Sequence, residues 1–152
     1  MSVVRAHALT VACPRGWDVQ VYRRPDSDGA TSYPVVHAAT FPLSMRRGDF
    51  GVGAVERMGH DDVLIVLFEY EPQAAHTPLF RQTARPRPRV GDFHPQALQR
   101  TVPGQSGAQW FFTENDRPFC LYIVMGGHHR RGRRLNEVHT LLDGVTVHRR
   151  PW

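Results

Sequence analysis

The sequence contains no lysine; all 19 of its basic residues are arginine. This excludes Schiff-base and pyridoxal-phosphate chemistry, the P-loop lysine and the kinase lysine. A basic set made only of arginine points to GC-rich coding, which weakens the step from a net charge of +5 to a nucleic-acid partner. Cysteine is nearly absent. Cys13 and Cys120 lie in apolar, strand-like contexts and read as buried free thiols, with pairing between them left open. The nine histidines are scattered, and none stands in a His-Glu-x-x-His or paired Cys-x-x-Cys spacing. No metal and no cofactor is therefore expected. Long apolar runs are missing too. The longest, residues 63–68, falls far short of the ~20 that span a bilayer. Arg5 and His7 interrupt the first residues where a signal peptide would need an apolar stretch. The expectation is a cytoplasmic chain with no membrane span.

What is present suits an ordered protein. Hydrophobic residues make up 41% and charged residues 22%, which places the chain outside the disordered class. Its 152 residues fit one globular domain over 1–152, large enough to bury roughly 68–70% of its unfolded surface.

Residues 3–13 alternate in part and read as one strand, ended by Pro14-Arg15-Gly16. Trp17, Val19 and Val21 open a second strand, residues 25–32 a turn cluster, and residues 33–41 a third strand, so the start reads as an antiparallel meander. After a polar loop at 42–49, Val52, Val55 and Met58 stand at helical spacing within residues 51–58 and suggest a short helix at best, stopped by Gly59. Residues 62–70 form the strongest strand. Their unbroken apolar core suits a central strand covered on both faces.

A proline-rich connection follows. Arg85-Pro86-Arg87-Pro88-Arg89 reads as an extended, solvated connector, with one helical turn around residues 95–98. Residues 109–113 and 118–125 pair as a β-hairpin, whose Asn115-Asp116 can adopt the positive φ of a tight turn. Residues 131–142 form an amphipathic helix with Leu135, Val138, Leu141 and Leu142 as its stripe, ended by Gly144. A short strand at 145–148 closes the chain. The expected class is α+β: an antiparallel sheet flanked by helices, in the order β-β-β-α-β, then β-β-α-β.

Catalytic motifs fail one by one. Gly51-Val52-Gly53-Ala54-Val55-Glu56 half matches a dinucleotide fingerprint, but Glu56 stands where the third glycine belongs and would repel pyrophosphate. Gly104-Gln105-Ser106-Gly107 lacks the final glycine of a nucleophile elbow, which is Ala108 here. His60-Asp61-Asp62 precedes the strongest strand and reads as a turn. His128-His129 could offer two imidazoles to a metal with His139 nearby, against a plain solvated loop. The densest charge is Arg130, Arg131, Arg133 and Arg134, split by Gly132. Four guanidiniums at a helix entry oppose the helix dipole, so they do nothing for their own helix. Their forked donors suit carboxylates or phosphates, while the lack of interleaved aromatics makes a poor single-strand platform.

Several stretches together resemble the PsbP-like superfamily, the fold of the photosystem II extrinsic subunit and of a nuclear-transport Ran-binding factor. They are the opening strand running into Pro14-Arg15-Gly16-Trp17, then Phe119-Cys120-Leu121-Tyr122-Ile123-Val124, the helix with Asn136 and Leu141-Leu142, and Val145-Thr146-Val147. The chain is also similar to a group of small bacterial proteins that share its Gly-Ala-Val-Glu, Asp-Asp-Val-Leu and Leu-Gln-Arg…Pro-Gly-Gln stretches. The resemblance implies an antiparallel sheet flanked by helices, and protein binding more than catalysis; no catalytic residue transfers. The leading expectation is thus a non-enzymatic interaction domain, an accessory subunit or adaptor that docks onto an acidic protein surface through Arg130, Arg131, Arg133 and Arg134. Two alternatives stand beside it. One is a small metal-dependent or His-Asp hydrolase using His60, Asp61 and His128. The other is an anion or nucleic-acid binder using the same arginines, with nucleic acid the less favoured partner.

Overall fold

The computed structural model describes residues 2–23, 33–44, 51 and 53–151. The turn cluster at 25–32 and residues 45–49 of the polar loop lie outside them. The described residues form eight strands and one α-helix, in two antiparallel sheets. The strands are β1 (Ser2–Ala6), β2 (Leu9–Cys13), β3 (Asp18–Arg23), β4 (Pro34–Ala39), β5 (Val63–Glu69), β6 (Ser106–Glu114), β7 (Arg117–Met125) and β8 (Val145–Val147). The helix, α1, spans Leu135–Asp143. Neither it nor any shorter turn among the described residues is long and apolar enough to cross a membrane.

The larger sheet has the order β3-β4-β5-β7-β6. Strand β5 is its middle member, as the apolar run predicts, and all seven of its residues are buried. Alternation along the strands sorts side chains to two faces. Val63, Ile65 and Leu67 of β5 join Leu121, Ile123 and Phe112 on one face. Leu64, Val66 and Phe68 join Cys120, Tyr122 and Val124 on the other. The first face is covered by Val138, Leu141 and Leu142 of α1 and by Leu9, Val11, Val145 and Val147 of the smaller sheet. The second is covered by connections that contribute Leu43, Ala54, Val55, Met58, Leu98 and Val102. Both faces are covered, which is why the strand needs no polar alternation.

The smaller sheet has the order β1-β2-β8, and it corrects two expectations. Residues 3–13 are not one strand but a hairpin, turned at His7 and Ala8 with φ of 54° and 59°. The start is not a meander either. Pro14–Trp17 carries the chain from the small sheet to the large one, with β2 pairing to β1 and β8 rather than to β3. A single sheet flanked by helices is thus replaced by two sheets and one helix. The short helix expected before β5 is a single 3₁₀ turn, Val55–Arg57, so the first half of the expected order, β-β-β-α-β, has no α-helix among the described residues.

The hairpin β6–β7 stands as expected. Asn115 and Asp116 take φ of 51° and 60°, the left-handed pair that a two-residue turn requires. The helix starts later than its pattern suggests, at Leu135. The arginine stretch before it is not α-helical: Arg130 closes a 3₁₀ turn, His128–Arg130, and residues 131–134 form further turns, consistent with the dipole argument against arginine in a first helical turn. The whole apolar stripe still lies inside α1. The proline connector is not solvated: Pro86 and Pro88 are buried while Arg87 and Arg89 face out.

Two arginines fasten the layers. Arg85 reaches Glu114 of β6 with two donors, at 2.9 and 2.7 Å, and donates to the carbonyls of Leu142 and Val145 at 2.7 and 2.8 Å. Across the β6–β7 turn from Glu114, its register partner, Arg117 forms a bidentate pair with Glu69 at 3.0 and 2.7 Å, the two being 1% and 0% exposed. The same guanidinium donates to the carbonyls of His7, Ala8 and His148. It therefore joins the large sheet to the small one.

Candidate interaction surface

The arginine loop is built on backbone packing. Strand β7 ends at Met125, and Gly126 donates to the carbonyl of Asp62 at 2.8 Å. A Cβ at Gly126 would stand 1.9 Å from the Gly59 carbonyl oxygen, and one at Gly127 2.5 Å from that of His60. No side chain fits at either position, so the 59–62 turn and the start of the loop lie chain against chain. Asp62 secures that turn: its carboxylate accepts from the Gly59 amide at 2.7 Å and from the Thr40 hydroxyl at 3.0 Å. This is the structural turn that the sequence suggests for His60-Asp61-Asp62.

Asp61 does something else. It faces the loop and pairs with Arg130 at 3.2 Å and with Arg133 at 3.8 Å. Arg134 pairs with Glu137 at 3.2 Å. Arg131 is a clamp, donating to the carbonyls of Val90 at 3.1 Å and His128 at 2.8 Å. Three of the four expected binding arginines therefore keep much of their surface: the side chains of Arg130, Arg133 and Arg134 are 49%, 64% and 36% exposed. The fourth, Arg131, is committed to holding the loop.

A second arginine segment comes in beside the first. Gly132 lies against the Val90 side chain, the His139 ring donates to the Pro88 carbonyl at 2.7 Å, and Arg87 approaches Asp143 at 3.7 Å. Residues 87–90 thus run along the helix and the loop, adding the exposed Arg87 and Arg89 and the exposed apolar side chain of Val90. Six guanidiniums (Arg87, Arg89, Arg130, Arg131, Arg133, Arg134) face four neighbouring carboxylates (Asp61, Asp92, Glu137, Asp143), an excess of two positive charges.

The proposed hydrolase set does not assemble as a relay. His60 is exposed, Asp61 is held by arginines, and His128 stacks edge-on to His129 at 5.6 Å between centroids. Nδ1 of His128 is buried without a hydrogen-bond partner. Burial, then the charges of Arg131, His129 and His94, push its pKa down. His139 is tied to Pro88. Among the described residues no three His, Cys, Asp or Glu side chains converge to hold a metal.

Compared with protein families, curated proteins and solved structures, the chain matches none. None of these comparisons links it to PsbP-like proteins.

Other motifs acquire structural roles. The Glu56 carboxylate accepts from the Gly53 amide at 2.7 Å and pairs with Arg100 at 2.8 Å, so it fills the anion-binding position of its own half fingerprint. Ser106 is buried in β6 with no hydrogen-bond partner for its hydroxyl. Both thiols are free and buried. Burial raises the Cys120 pKa to about 11, against a smaller lowering by the Gln109 amide.

Sequence reasoning missed the Glu69–Arg117 pair and Arg150, which also contacts Glu69. A signal existed. Glu69 continues the inward-facing positions 63, 65 and 67, and Arg117 continues those of 119, 121 and 123. A charge on the buried phase of two neighbouring strands calls for an opposite charge beside it.

Proposed function

We propose that the protein is a non-enzymatic docking domain whose basic face, formed by the loop of Arg130, Arg133 and Arg134 with Arg87 and Arg89 around Val90, binds an acidic surface on a protein partner. The observation that carries this reading is the meeting of two arginine segments, distant in sequence, around an exposed apolar residue. Exposed guanidinium forks recognise carboxylates bidentately, and a small apolar centre inside a polar rim is the usual anatomy of an interface. An accessory role of this kind is also what the resemblance to PsbP-like proteins implies.

The test compares wild type with the Arg130→Ser/Arg133→Ser/Arg134→Ser variant, leaving Arg131 in place as the clamp. Partner capture from the native host should fall and lose most of its salt sensitivity. Folding should hold, because exposed substitutions stay within about ±0.5 kcal/mol each. Equal capture by both proteins at low and high salt would refute the reading. Binding to oligonucleotides that survives as strongly as partner capture would move the assignment to nucleic acid.

A further inference from the structure

We propose that the cleft beside the β6–β7 turn binds a small, multiply charged oxyanion, of phosphate or compact carboxylate type. The cleft measures about 250 Å³ and is lined by Asn115, Asp116, Arg117, Arg149 and Arg150. It is smaller than the ~300–1,000 Å³ that holds a drug-sized ligand, so its occupant is an ion or a compact metabolite.

The electrostatics favour an anion. Arg117 spends its whole guanidinium on Glu69 and on three backbone carbonyls. Glu69 is thereby already neutralised, yet Arg150 brings a second guanidinium to the same carboxylate. Arg150 also lies over the Tyr33 ring, 5.4 Å from its centroid. Among the described residues, two guanidiniums on one buried carboxylate leave one positive charge uncompensated at the wall of the cleft. Arg149 adds another cation, offset by its pair with Asp116 at 3.1 Å.

Donors are left over as well. Among the described residues Arg150 uses only Nη2 on Glu69, and Arg149 only Nη1 on Asp116. The remaining N–H groups of both guanidiniums are the forked set that oxyanions accept from. Asp116, which also meets the His76 ring at 2.9 Å, is the internal rival that an entering anion displaces from Arg149.

The geometry predicts opposite effects from two neighbouring changes. Arg149 is 74% exposed on its side chain with one ion pair, so Arg149→Gln keeps the fold while removing a donor. Asp116→Asn removes the rival, and Asn tolerates the positive φ of that turn. Calorimetric titration with inorganic phosphate and, separately, with citrate is the experiment, at low salt and neutral pH, with amide shifts at Asn115 and Asp116 followed by NMR. The expected result is saturable 1:1 binding of at least one anion, roughly tenfold weaker in Arg149→Gln, tighter in Asp116→Asn, and unchanged in Arg133→Gln on the other basic face. Phosphate alone would assign a phosphoryl-type ligand, and citrate alone a carboxylate. No saturation by about 10 mM of either anion, unchanged affinity in Arg149→Gln, or an equal loss in Arg133→Gln would overturn the site.

Discussion

Removing the Arg117 guanidinium should be among the most damaging single changes available to this protein, and its cost can be divided into two parts. Glu69→Gln keeps the shape but strips the negative charge from between Arg117 and Arg150, and it turns one of the two oxygens that accept from guanidinium N–H groups into an amide donor. Breaking a buried pair in this way costs about 3–5 kcal/mol. Arg117→Met also leaves Glu69 without its bidentate partner, and it additionally takes donors from the His7 and His148 carbonyls. Ala8 loses less, because its carbonyl also accepts from the His148 amide at 3.0 Å. The additional loss is about 1–2 kcal/mol, since His148 is exposed and water can take over part of the bonding. Against a total stability of about 5–15 kcal/mol, the second variant approaches unfolding. Urea denaturation followed by tryptophan fluorescence reads both. The expected order is wild type, Glu69→Gln, then Arg117→Met. A Glu69→Gln variant within about 1 kcal/mol of wild type would show that the pair behaves as if solvated. Equal losses in the two variants would show that the sheet-to-sheet carbonyl bonds contribute nothing.

Leu67→Ala, at a side chain 6% exposed in the middle strand, should cost about 2–5 kcal/mol in the same urea assay. Ala8→Gly should stabilise by about 1 kcal/mol, because Ala8 holds a φ of 59° that costs glycine nothing; a lower melting temperature would contradict the hairpin. Native thiol labelling should spare Cys120, whose pKa near 11 keeps it protonated at pH 8, until denaturant is added. The pKa values of His7 and His128 both lie below the ordinary 6.5, so the unfolded chain takes up protons first on acidification. Their contribution to stability is complete above pH 6.5 and is lost as the pH falls through the depressed native values; His128→Asn should flatten the melting-temperature profile between pH 7.5 and 5.5.

Much of the fold was legible because local and tertiary signals agreed. The run at 63–68 is apolar at every position, and both faces of β5 are covered. Asn115-Asp116 carries its own turn chemistry. The stripe from Leu135 to Leu142 survives a four-residue error in where the helix starts. The first hairpin was hidden because His7-Ala8 contains no glycine, asparagine or proline, and the turn is held by pairing on both sides of β2. The buried state of Pro86 and Pro88 was hidden for a related reason: Arg85 docks the connector through contacts to Glu114, Leu142 and Val145, none of them near it in sequence. At the candidate surface the arginines themselves were plain. Their partner Asp61 was visible as a residue, but its pairing follows from the backbone contact at Gly126 and Gly127, which no spacing reveals.

The small sheet places β2 between β1 and β8, so the chain's opening hairpin is finished by a strand made much later. Thr10 and His148, which share a 2.9 Å hydrogen bond, are 138 positions apart. Proteins are synthesised from the N-terminus. On the ribosome β2 therefore waits with Leu9 and Val11 uncovered and one edge open while the large sheet and α1 emerge. An exposed edge with apolar residues is a template for pairing with other chains. Closure by β8 and the guanidinium of Arg117 ends that exposure in one late, long-range step, the kind that slows folding. Newly made copies are thus most open to association with a chaperone, or with one another, just before the strand at 145–147 arrives.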